Sequence, residues 1–198
     1  MTNFIRKAVR VLLINPHVWS SDCCSSMVSA LGEEPYPPIG LLYLAAYMRS
    51  CGYEVRLLDI PVVLKQKRHE AEIKEVIRGI SDLVLEEIVA GHIQDFRPDL
   101  VGISCLFSGK FRSTVFISEA VKKVAPTCLV VIGGLHPTIF AREAIERLPS
   151  VDFVILGEGE ESFVDLLSSI FDNRIPLYDV DGLAFRDSEG IHNTTKTH

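Results

Sequence analysis

The 198-residue chain predicts an open α/β sheet wound on both faces, and three observations carry that expectation. Short, nearly unbroken apolar runs rich in Val, Ile and Leu recur along the chain, as in strands covered on both faces. Helix-like stretches separate those runs, the spacing that right-handed βαβ crossovers require. Two of the runs close abruptly on glycine: one at Gly133-Gly134, the other at Gly157-Glu158-Gly159-Glu160. Glycine at a strand's carboxyl end lets the backbone approach a bulky group or turn through positive φ.

In chain order, Val9 to Ile14 reads as the first strand. Pro37-Pro38 opens a helix from Ile39 to Cys51, with Gly52 as its C-cap. Glu54 to Asp59 is the second strand. Arg68 to Phe96 reads as a long amphipathic helix, with Ile73, Val76, Ile77, Ile80, Val84, Ile88 and Ile93 on one face; Gly79 and Gly91 weaken it and can split it in two. Leu100 to Ser104 is the third strand, followed by a helix from Ser113 to Val124 that Pro126 closes. Leu129 to Ile132 and Phe153 to Leu156 are the fourth and fifth strands, with helices over Thr138 to Leu148 and Glu158 to Phe171. Five such units fit a five-stranded parallel sheet of flavodoxin-like order 2-1-3-4-5. The tail differs: Gly182 to Phe185, a turn at Asp187-Ser188-Glu189-Gly190, and Ile191 to Thr194 read as a small hairpin. The expected division is an α/β domain over 1–175 and a hairpin over 176–198 that leads toward a further domain.

Composition narrows the function classes. At 47% hydrophobic residues the chain has material for a packed core. A formal net charge of −6 and no basic stripe disfavour nucleic acid as a partner. No apolar run approaches a membrane span, and no small-residue cleavage site follows the apolar run near the N-terminus. The five cysteines (Cys23, Cys24, Cys51, Cys105, Cys128) are odd in number and irregularly spaced, which suits a reducing cytoplasm. No CxxC is present, so these residues carry no iron–sulfur or structural zinc signature. Nor is there a GxGxxG or a GxxxxGK[ST].

Ligands of doubly wound sheets bind at the strands' carboxyl ends, near the point where strand order reverses. Those ends carry Asn15-Pro16-His17, Ser104-Cys105-Leu106, Gly133-Gly134-Leu135-His136 and Gly157-Glu158-Gly159-Glu160. Each has a plainer reading. Gly133-Gly134 can serve as a tight turn into a helix, and Ser104 as a hydroxyl satisfied by backbone. Glu160 and Glu161 favour a helix dipole from its first turn. His136, before Pro137, is either a loop residue capping a helix or a ligand contact. The long loop from Asn15 to Pro37 reads as a lid or partner surface, with Trp19 and Tyr36 as covering groups.

Ser104-x-Leu106, with residues 107 to 132 intervening before Gly133-Gly134, resembles the Ser-x-Leu and Gly-Gly elements of cobalamin-binding domains. PPIGLLYLAAYMRSCGYEVRLLD, RPDLVGISC, GGLHPT, VDFVILGEGEESF and DGLAFRDSEG are together similar to the N-terminal domain of B12-dependent radical SAM proteins, anaerobic magnesium-protoporphyrin monomethyl ester cyclase-like enzymes among them. The resemblance runs from about Val9 to Asn193. It implies a cobalamin whose nucleotide tail lies beside Gly133 and Gly134, with Ser104 donating to it and Leu106 beside it. Gly157, Glu158 and Gly159 would lie near the corrin edge. It also implies a downstream radical SAM domain carrying S-adenosylmethionine and a 4Fe-4S cluster, with methyl transfer or radical chemistry in the full protein.

Cobalamin proteins that supply the lower cobalt ligand carry Asp-x-His-x-x-Gly after the first strand. Here Asn15-Pro16-His17-Val18-Trp19-Ser20 keeps the His and loses both Asp and Gly. His17 is therefore the one candidate metal ligand, while the closer radical SAM branch implies binding without a protein imidazole. Two other readings stay open: a cobalamin-free docking module of the same fold, and a hydrolase or transferase using His17 or His136 as base.

Overall fold

Side chains alternate across a strand, so along β1 (Arg10–Asn15) Leu12 and Ile14 enter one core while Val11 and Leu13 enter another. All four are fully buried, which explains why the run shows no polar alternation. The computed structural model describes residues 8–18, 36–70 and 82–195. Trp19, Cys23, Cys24, most of the expected lid loop and the middle of the expected long helix lie outside the described residues.

β1, β2 (Glu54–Asp59), β3 (Leu100–Ser104), β4 (Leu129–Gly133) and β5 (Phe153–Ile155) pair in parallel. The hairpin of β6 (Leu183–Arg186) and β7 (Ile191–Asn193) does not stand apart: β6 pairs antiparallel with β5, and β7 with β6. The result is a seven-stranded sheet of order β2-β1-β3-β4-β5-β6-β7. The expected parallel order 2-1-3-4-5 is present, extended by the hairpin.

Helices α1 (Ile39–Ser50) and α7 (Glu160–Asp172) cover one face, burying Leu41, Ala45, Met48, Phe163, Leu166 and Leu167 there. On the other face lie α2 (Ile60–Glu70), α3 (Asp82–Phe96), α4 (Phe111–Val124) and α6 (Ala141–Arg147). α1 ends in a Schellman motif, with Gly52 N–H donating to Arg49 O at 3.0 Å and Tyr53 N–H to Met48 O at 3.2 Å. Cys51 is the cap residue, and Gly52 sits one position beyond it at φ +93°.

Two helices differ from expectation. α2 starts at Ile60, directly after β2, and Ile60 and Leu64 both reach the core that holds Leu12 and Ile14. The helix expected over Thr138 to Leu148 is instead a short α5 (Leu135–Ile139) and α6, divided at Phe140 (φ −113°, ψ 30°).

An aspartate one residue before a strand clasps its neighbour in two places. Asp99 Oδ2, preceding β3, accepts the Arg10 N–H of β1 at 2.8 Å. Asp152 Oδ2, preceding β5, accepts the Val130 N–H of β4 at 2.7 Å and the Lys122 ammonium at 2.7 Å. These bonds seat the strands' amino ends and so help level their carboxyl ends. Replacing Asp152 by Ala orphans a strand N–H and leaves the Lys122 ammonium only its bond to Cys128 O at 2.8 Å, and should cost about 1–3 kcal/mol, read from urea unfolding. Unchanged stability would mean that water replaces the carboxylate at no cost.

Candidate functional site

Parallel register brings four strand ends into one row. Ile14 pairs with Ile103, so Asn15 and Ser104 stand together one step on; Ser104 pairs with Gly133, and Gly133 with Ile155. Two residues down is a second row in which Leu13 pairs with Gly102, Gly102 with Val131, and Val131 with Phe153. Both rows face α1 and α7 by the alternation that puts Leu13, Val131 and Ile155 in that core. Above them opens a cleft of about 830 Å³. Asn15, Pro16, His17, Ser104, Leu106, Gly133, Gly134, Gly157, Glu158 and Gly159 all line it. A smaller hollow of about 480 Å³ lies at the opposite end, against Arg97, Asp99 and Cys128 at the strands' amino ends, far from these loops.

The glycines divide by what the fold asks of them. Gly134 has φ +111°, and a Cβ there would stand 2.8 Å from Cys105 O, so local geometry alone demands glycine. Around it the β3 and β4 loops are stitched, Cys105 N–H donating to Gly133 O at 2.7 Å and His136 N–H to Cys105 O at 3.3 Å. Gly133 is different: its φ is not positive, and a Cβ would meet nothing nearer than Ile155 at 3.8 Å. Gly40, also on the cleft wall, has nothing within 4 Å. At these two positions the protein's own packing leaves room for a side chain, and glycine keeps the cleft wall flat.

Several contributors escaped the sequence reading. Gly102 sits in mid-strand, where a Cβ would come within 2.8 Å of Leu13 Cδ2 and 3.0 Å of Phe163 Cζ; glycine lets the Phe163 ring lie against the cleft floor. A glycine inside an otherwise apolar strand was the available signal. Thr138 bridges two rim loops: its hydroxyl donates to Gly134 O at 2.8 Å and accepts the Gly157 N–H at 3.0 Å. Lys110, in a 3₁₀ turn before α4, reaches back so that its ammonium donates to Asn15 Oδ1 at 2.6 Å. The Asn15 amide in turn donates to Asp59 Oδ1 at 3.1 Å.

The two histidines separate. His17 is 5% exposed, with Ser113 Oγ of α4 lying 2.8 Å from Nδ1 and 3.3 Å from Nε2. Burial, with the Lys110 charge adding to it, pulls its pKa down to about 4, so the ring is neutral at neutral pH. His136 stands outside the cleft lining. Its ring packs 4.7 Å from Phe111 and 5.0 Å from Phe140, centroid to centroid, and its Nδ1 lies 3.0 Å from Ser108 Oγ. Cys105 is buried under the rim, and burial pushes its thiol up. Glu160 and Glu161 occupy the first turn of α7, as the dipole reading expects.

Two outcomes follow. Gly134→Ala should destabilise the chain by about 1–3 kcal/mol, because positive φ and a backbone clash combine; chemical denaturation measures it. For His17, the unfolded ring takes a proton near pH 6.5 and the folded ring only near pH 4, so stability is fully present above pH 6.5 and lost as pH falls toward 4. That loss is about 3 kcal/mol, and His17→Gln should lack it when unfolding free energy is followed against pH. Parallel curves for the two proteins would contradict the buried neutral ring.

Comparison with known proteins adds the last finding. Residues 27–167 match the model of a family described as the B12 binding domain. The chain is 29% identical over 191 residues to cytidylyl-2-hydroxyethylphosphonate methyltransferase of Streptomyces wedmorensis, covering 93% of this chain and 33% of that protein. It is 29% identical over 189 residues to anaerobic magnesium-protoporphyrin IX monomethyl ester cyclase of Synechocystis sp., covering 94% of this chain and 32% of that protein. The chain thus spans about a third of the length of these relatives. Among solved structures, the radical S-adenosylmethionine methyltransferase TsrM from Kitasatospora setae superposes with TM-score 0.69 at 18% identity, over 96% of this chain and 31% of that one. OxsB, a cobalamin-dependent S-adenosylmethionine radical enzyme with aqua-cobalamin bound, superposes with TM-score 0.67 at 18% identity, over 97% and 23%. At that identity the likeness is one of fold, and it agrees with the strand order above. With the family model spanning residues 27–167 of 198, the chain belongs to the B12 binding domain family.

Proposed function

We propose that this chain is the cobalamin-binding domain of a radical SAM enzyme, a methyltransferase or cyclase in its full form. The observation that carries the reading is the flat wall at Gly133: glycine where the fold has room for a side chain, on a cleft at the strands' carboxyl ends. A planar lower base needs such a wall, and the cleft floor of Leu13, Val131, Ile155 and Phe163 offers it apolar surface to cover. The residues present therefore fit the nucleotide tail of the cofactor.

In this reading Gly133 and Gly134 form the wall beside the base, and Ser104 donates a hydrogen bond to the tail. Leu106, Gly157, Glu158 and Gly159 sit at the mouth, where backbone and carboxylate meet the corrin's amide side chains. Asn15 and Pro16 shape the β1 end of the cleft. Cobalamin, when bound, supplies a cobalt centre that can carry a methyl group or take part in radical chemistry. The chain's own work is to bind, orient and exclude water. His17, held by Ser113 and neutral, serves as packing under the rim and not as a cobalt ligand. The hairpin, at the sheet's edge, leads toward a radical SAM domain in the same polypeptide, which would hold S-adenosylmethionine and the 4Fe-4S cluster.

The test is an anaerobic titration of the purified chain with hydroxocobalamin, followed by visible absorbance. Saturable binding with a base-off spectrum that His17→Ala leaves unchanged is the expected result. A spectrum that shifts in that variant would make His17 the lower ligand. Gly133→Ala should keep thermal stability within about 1 kcal/mol while weakening cobalamin. Absence of saturable binding would favour a docking module of the same fold.

A further inference from the structure

The charges around the cleft are unevenly placed. Among the described residues that line it, Lys110 is the one cation, at the corner where β1 meets β3. Glu158 and Glu160 stand on the far side of the mouth, after β5. Cobalamin presents one anionic bridge, the phosphodiester that joins its nucleotide to the corrin side chain. Carboxylates repel that group and a partly desolvated ammonium attracts it.

The way Lys110 is held matters more than its presence. Its ammonium donates to Asn15 Oδ1 at 2.6 Å, and the Asn15 amide donates to Asp59 Oδ1 at 3.1 Å. The amide is thus a spacer between a cation and a carboxylate: it orients the ammonium without neutralising it. An aspartate at position 15 would place a full negative charge on that nitrogen. Burial pulls the Lys110 pKa down while the Asp59 carboxylate pulls it up, so the ammonium has lost water without gaining a directly bonded anion. Phe107 adds a ring face 5.6 Å from Nζ, which holds the charge in place without cancelling it.

We infer that Lys110, oriented by Asn15, is the anchor for the phosphodiester of the corrinoid's nucleotide tail, so that the site selects complete corrinoids over tail-less ones. This rests on the cobalamin reading above. It assigns Asn15 a purpose of its own: the amide keeps the neighbouring ammonium available to an anion. It also sets the direction of the tail, which enters on the β1–β3 side and not on the side of Glu158.

The experiment compares two probes, hydroxocobalamin and cobinamide, the second lacking the phosphodiester and the nucleotide. Each is titrated into the 198-residue chain and into Lys110→Met, Lys110→Arg and Asn15→Asp, with thermal midpoints recorded for all four. Loss of a charge-assisted bond predicts a cobalamin affinity roughly ten- to a hundred-fold lower in Lys110→Met, with cobinamide changed by less than about twofold. Lys110→Arg should retain cobalamin, because guanidinium also pairs with phosphate. Asn15→Asp should weaken cobalamin selectively, although Lys110 is still present. Salt should weaken cobalamin in the parent chain more than in Lys110→Met.

Equal losses for both probes, or none, in Lys110→Met would overturn the anchor. So would a parent chain that binds cobinamide as tightly as cobalamin, and that result would leave the corrinoid reading standing. A parent chain that binds neither probe would remove the cofactor reading itself and the anchor with it.

Discussion

Parallel pairing of β1, β3, β4 and β5 places every carboxyl end on one edge of the sheet, and the cleft exists because those ends are level. In an antiparallel sheet, Asn15, Ser104, Gly133 and Ile155 would not form one row. Parallel strands also need crossover helices, so the loops that leave this edge must climb over it before descending. The aspartates at the opposite edge serve the same end, tying β1 to the residue before β3 and β4 to the residue before β5. Levelness is therefore held from both sides, by ladder register and by clasps at the amino ends.

On that level row the side chains divide the cleft by chemistry. The floor is apolar and belongs to the α1–α7 core, with Phe163 resting against Gly102. The β1–β3 corner is polar and charged, built by Asp59, Asn15 and Lys110 in sequence. The β4–β5 side is mostly backbone, with Thr138 locking the two glycine loops together. In the proposed reading, a ligand with an apolar planar end, an anionic bridge and a polar amide rim would meet each of these in turn, whereas a docking surface would not need Gly133.

The imidazole is the feature most altered from the His-ligated pattern. Where the His-ligated pattern has an aspartate, Asn15 spends its amide on Asp59 and Lys110. His17 instead packs against Ser113 in a buried, neutral state, with the Lys110 charge further opposing its protonation.

The sequence by itself determined where the strands lie and which loops leave their carboxyl ends. Unbroken Val, Ile and Leu runs closed by glycine leave few other local options. Glu54 to Asp59 and Leu100 to Ser104 were legible to the residue, since apolar patterning and strand length are local properties. Tertiary structure alone decided what meets what. The Lys110–Asn15 bond spans 95 positions in the chain, and the Ser113–His17 pair spans 96. His136 reads in sequence as a rim residue, yet two phenylalanines hold it outside the cleft. Gly133 and Gly134 are neighbours of the same type, and only backbone angles and surrounding atoms tell which one the fold needs. Periodicity reports which face a residue occupies, whereas partner identity depends on how helices settle on the sheet, and no local pattern encodes that.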